Sequence, residues 1–87
     1  MADSTIRGLR ERISANDLAL LEAANLRVEL VAELKAYKDS VGLPFVDRDR
    51  EEQMLADLRA ANPGPLSADG VEALFRAVLD VVKREVA

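Results

Sequence analysis

Apolar residues recur at threes and fours from about Ser4 to Ser40, a run with no proline and with Gly8 as its only weak internal residue. That spacing predicts a long amphipathic helix, with Ser4 as its N-cap. One seam takes Ile6, Leu9, Ile13, Leu20, Ala23, Leu30, Leu34 and Tyr37, with Asn16 and Arg27 in two of its slots, and Leu21, Ala24, Val28 and Val31 form a neighbouring stripe. Gly42-Leu43-Pro44 then supplies a C-cap glycine and a helix stop, and Asn62-Pro63-Gly64-Pro65 is a stronger break. Between them Asp47 is a good N-cap for a second helix ending near Ala61, with Met54, Leu55 and Leu58 on its buried side. A third helix starts near Ser67 or Asp69 and runs to the end, carrying Val71, Leu74, Phe75, Val78, Leu79, Val82 and Val86 at helical spacing. The expected fold class is all-α, with three helices in one domain spanning residues 1–87.

The first helix changes the picture of the whole. At about 36 residues it would be roughly 54 Å long, more than the rest of so short a chain can cover. A chain of 87 residues without cysteine has no disulfide or thiolate-metal staple, so a second copy is the expected support, in an intertwined helical homodimer. The apolar residues are mostly Ala, Leu and Val, with Phe45, Phe75 and Tyr37 as the aromatics, which suits helix packing. The absence of histidine excludes imidazole catalysis. A net charge of −4 argues against a general nucleic-acid binder, and no apolar run approaches bilayer length. Met1-Ala2-Asp3-Ser4 lacks the basic and apolar regions of a signal peptide, so the expected location is cytoplasmic.

The polar residues on apolar faces carry the functional signal. Arg27 lies mid-seam, where an unpaired guanidinium is costly. Its ordinary explanation is an ion pair with Glu29, Glu33 or a partner carboxylate, or snorkelling. Lys38 shifts the balance, because eleven residues bring it back to within about 20° of the same face, some 16 Å along the axis. Two long cations on one face can grip a small dianion. Arg50 adds a third cation just inside the second helix, and Asp47 and Glu51 add carboxylates one turn apart at its N-terminus. Arg10 lies roughly 25 Å from Arg27 and about 100° round the helix, so it cannot reach the same small ligand from the same straight helix; in an antiparallel dimer it could reach the partner's ligand, and its ordinary explanation is a solvated face. Arg12, Glu11 and Glu22 read as a solvated face.

Leu9-Arg10-Glu11-Arg12-Ile13, Arg27, Lys38 and Asp47-Arg48-Asp49-Arg50-Glu51-Glu52, at these spacings, resemble the all-helical (AroQ-type) class of chorismate mutases over nearly the whole chain. Gly42-Leu43-Pro44, Asp47 through Leu55, Asn62-Pro63-Gly64-Pro65 and Leu74-Phe75-Arg76 are especially similar to the mutase domains related to those fused to an aromatic-pathway synthase. The resemblance implies an intertwined dimer of three-helix protomers whose two active sites each borrow an arginine from the other protomer. By position, Arg27 and the partner copy's Arg10 would bind the two carboxylates of chorismate, and Lys38 would face the ether oxygen. Glu51, with Asp47, would hold the ring hydroxyl, and Arg50 would order that end of the pocket. The implied catalytic residues are Lys38, Arg27 and Glu51.

The rearrangement of chorismate to prephenate is pericyclic and needs no nucleophile, metal or redox cofactor. It asks for a compact substrate conformer and positive charge at the ether oxygen, which arginine clamps and Lys38 supply. One departure stands out. The family usually places a small hydroxyl residue seven positions after the phenylalanine of the third helix and Gln or Glu eleven positions after it. Here those substrate-binding positions are Val82 and Val86, neither of which can hydrogen-bond. Three explanations follow: the tail shifts register to present Glu85, the isolated enzyme is weak, or an aromatic-pathway synthase docks the tail and completes the site. The competing functions are an isochorismate pyruvate-lyase of the same fold and a non-catalytic helical dimer that regulates or scaffolds an aromatic-pathway enzyme.

Overall fold

The computed structural model describes residues 2–87, which form three helices: α1 (Ala2–Val41), α2 (Arg48–Ala61) and α3 (Ala68–Val86). At 40 residues α1 is about 60 Å long at 1.5 Å per residue, and it sets the longest dimension of the protomer, 61 Å. The helix begins upstream of the expected cap. Ser4 sits inside its first turn with Asp3, because nothing in Ala2-Asp3-Ser4 stops a helix and an acidic residue there complements the amino-terminal dipole. At the other end Gly42 adopts φ +74°, its N–H reaches the Asp39 carbonyl at 3.4 Å and the Leu43 N–H reaches the Lys38 carbonyl at 2.9 Å. This is a Schellman termination, and it fixes the backbone at Lys38.

The two shorter helices are capped by side chains. The Asp47 carboxylate accepts from the Arg50 N–H at 3.0 Å, and the Ser67 hydroxyl accepts from the Gly70 N–H at 3.0 Å, so Ser67 rather than Asp69 opens α3. Ion pairs set the register of α2 against α3: Glu51 with Lys83, Glu52 with Arg76 and Arg59 with Glu72. Residue numbers rise on one helix as they fall on the other, so the two run antiparallel. Leu55, fully inaccessible, with Val71 and Val82, forms the small buried core of this hairpin. Met54, Leu58, Phe75, Val78, Leu79 and Val86 are half-buried around it, whereas Leu74 faces outward.

Helix α3 also packs on α1, and it joins the two other helices, which make no comparable contact with each other. The contact uses the C-terminal half of α1. From Asp3 to Leu26 every residue except Gly8 is exposed, including Leu9, Ile13, Leu20 and Leu21 of the apolar seam. The protomer consequently exposes 6934 Å², against about 5,000 Å² for a compact monomer of this mass. Among the described residues no helix is long and apolar enough to cross a membrane.

Candidate functional site

A cleft of about 220 Å³ lies between the C-terminal half of α1, the 42–47 connection, the first turns of α2 and the last turns of α3. Each charged side chain in it arrives for a local reason. Arg27 and Lys38 share a face of α1 by helical periodicity, and both are half-buried. Lys38 is fixed twice: its carbonyl closes the Schellman termination, and its Nζ donates to the Phe45 carbonyl at 3.2 Å. Asp47, Arg50 and Glu51 are brought in together by the start of α2, where the Glu51 N–H also donates to the Asp47 carbonyl at 3.1 Å. Val31, Leu34, Phe45, Val46, Met54, Leu79 and Val82 make up the apolar lining.

The cations in this cleft are mostly unspent. Arg27 Nη2 donates to Met54 Sδ at 3.3 Å, a thioether that is only a weak acceptor, and neither Glu29 nor Glu33 pairs with it. Among the described residues Lys38 and Arg50 likewise make no ion pair. Three cationic groups without carboxylate partners thus meet in one partly apolar hollow. With Lys83, which pairs with Glu51, the lining holds four cations against the two carboxylates of Asp47 and Glu51. The surplus of two positive charges suits a small dianion, in a chain whose net charge is −4. Among the described residues no cluster of acidic side chains could hold a metal ion.

Of the residues singled out in the sequence, Arg27, Lys38, Asp47, Arg50, Glu51 and Val82 line this cleft. Val82 is buried and serves as wall, while Val86 is half-buried and outside the lining. Arg10 is exposed on the projecting part of α1, away from the cleft. Helix α3 continues regularly to Val86, so no register shift presents Glu85, which stays exposed and outside the cleft. Lys83 was not anticipated. In the sequence it reads as a last-turn cation complementing the helix dipole, and only the antiparallel α2/α3 register puts it beside Glu51.

Residues 9–86 match the family model described as chorismate mutase type II. Among curated proteins, the T-protein of Enterobacter agglomerans is 37% identical over 75 residues, an alignment that takes in 85% of this chain. The chain spans only about a fifth of that relative's length (20%). Among solved structures, two forms of the chorismate mutase from Thermus thermophilus superpose with TM-scores of 0.87 and 0.88 at 34% and 33% identity. The superpositions cover 88% and 91% of this chain, and 96% and 90% of the Thermus chains.

Proposed function

Because the chain belongs to the type II chorismate mutase family, we propose that it converts chorismate to prephenate in the cleft between its three helices. The observation that carries this reading is the meeting of Arg27, Lys38 and Arg50, none with a carboxylate partner, beside Glu51 and the N-cap of α2. The reaction breaks the ether C–O bond as a new C–C bond forms within the same molecule. The protein must confine a flexible dianion to its reactive chair-like conformer and stabilise charge gathering on the ether oxygen.

Arg27 binds one substrate carboxylate through its planar fork, and the partner copy's Arg10 binds the other. Lys38 Nζ has three donors, of which the Phe45 carbonyl takes one. The rest serve the ether oxygen and the neighbouring carboxylate. Glu51 and Asp47 hold the ring hydroxyl, and Arg50 orders that end of the pocket. Val82 offers the substrate only shape, so the polar contact usual at this end is supplied by no residue of the Val82/Val86 pair. In this reading an aromatic-pathway synthase that docks the end of α3 raises the rate, and the enzyme works in the cytoplasm.

The shared site requires a dimer, and the exposed surface supports one. The excess over a compact monomer is about 1,900 Å² per protomer, and twice that falls within the range of obligate homodimer interfaces, about 2,000–5,000 Å². Leu9, Ile13, Leu20 and Leu34 of α1 lie in that excess.

The test is product identification with purified protein given chorismate and isochorismate separately, each with and without the synthase. Prephenate from chorismate is expected. Salicylate and pyruvate from isochorismate would make the protein a lyase, and no turnover of either compound would leave the regulatory helical dimer.

A further inference from the structure

Helix α3 contributes Leu79, Val82 and Lys83 to the cleft, so Lys83 is the one polar side chain it delivers there. Lys83 Nζ lies 2.7 Å from Glu51 Oε2 and 2.9 Å from Oε1, one ammonium bridging both carboxylate oxygens. The side chains are 35% and 23% exposed, which makes this the most enclosed ion pair among those of the described residues. A carboxylate has about four acceptor positions, so each oxygen keeps capacity for a hydroxyl donor after Lys83 is bound.

We propose that Lys83 is a positioning residue: it holds Glu51 in the cleft for the ring hydroxyl and offsets the negative charge that Glu51 would otherwise turn on a dianionic substrate. The inference rests on the mutase reading above. Two consequences follow from the geometry. Without Lys83 the Glu51 carboxylate turns an unneutralised negative charge on the bound dianion, which weakens its binding. Without Lys83 the Glu51 side chain also loses its one ion-pair partner among the described residues and the orientation that partner imposes. Both effects bear on substrate and transition state alike, because the ring hydroxyl and the two carboxylates are unchanged by the rearrangement. Their loss therefore appears in KM rather than in kcat.

The experiment is steady-state kinetics on chorismate with the full chain and its Lys83→Met, Lys83→Gln and Lys83→Arg variants, each first matched to wild type in helical content and oligomeric size. Lys83→Met and Lys83→Gln should raise KM about tenfold, with kcat within about twofold of wild type, and Lys83→Arg should restore most of the loss. In a Glu51→Gln background, Lys83→Met should add little, because Lys83 acts through that carboxylate. A wild-type KM in Lys83→Met, or a full KM effect that persists in the Glu51→Gln background, would overturn the positioning role while leaving the mutase reading intact. A wild-type protein that turns over no chorismate would overturn both.

Discussion

At the residue scale the candidate site is governed by a few cations that, among the described residues, have no carboxylate partner. Arg27 is the clearest case, since a half-buried guanidinium whose only acceptor among the described residues is a thioether leaves most of its donors for a ligand. In the proposed mechanism Lys38 carries the larger kinetic burden, because there its charge faces the atom that becomes negative. Lys38→Ala should lower kcat by about 10²–10³-fold, while circular dichroism and oligomeric size stay those of the wild type. A loss confined to KM would place Lys38 on a substrate carboxylate only. That Arg27 and Lys38 share a face, and that Asp47, Arg50 and Glu51 gather at one helix start, could be reasoned from helix periodicity and capping; that the two groups meet in one hollow was implied by the resemblance. The place of Lys83 was legible from neither, because its position depends on how α3 lies against α2.

At the element scale, the breaks and caps do most of the positioning. The Gly42 termination and the Asp47 cap define the connection that carries Phe45 over Lys38, so the cleft wall is built from helix-ending chemistry. Ser67 plays the matching role for α3 away from the cleft. Ser67→Ala should destabilise the protein by about 1 kcal/mol in urea unfolding and leave kcat and KM unchanged. A kinetic effect from that change would mean that the start of α3 is coupled to the cleft. These signals were legible in the sequence because glycine, proline and Asp or Ser act locally. The start of α1 was not, since no residue near Ser4 forbids helix and the chain simply continues it. Leu74 of the α3 stripe stays exposed, because a helical stripe specifies a face but not how far a neighbour covers it.

At the scale of the whole molecule, the protomer is an arm with a small hairpin on one half. The hairpin closes around Leu55, Val71 and Val82, whereas the amino-terminal half of α1 has an apolar seam and no cover in its own protomer. The expectation of a second copy came from length alone, because a helix of this span outruns the rest of the chain, and the exposed seam is consistent with it. That Arg10 could serve an antiparallel partner was legible from helix geometry, and its role on a substrate carboxylate came from the resemblance; the structure leaves it remote from the cleft of its own chain. The central claim is therefore a site completed across a dimer. Mixing Arg10→Ala and Lys38→Ala variants, each nearly inactive alone, should give heterodimers with one intact site and one doubly defective site. With full random exchange at equal amounts, roughly a quarter of the wild-type chorismate-to-prephenate activity should return. No recovery, with heterodimers demonstrated by co-purification of two different tags, would contradict the shared site.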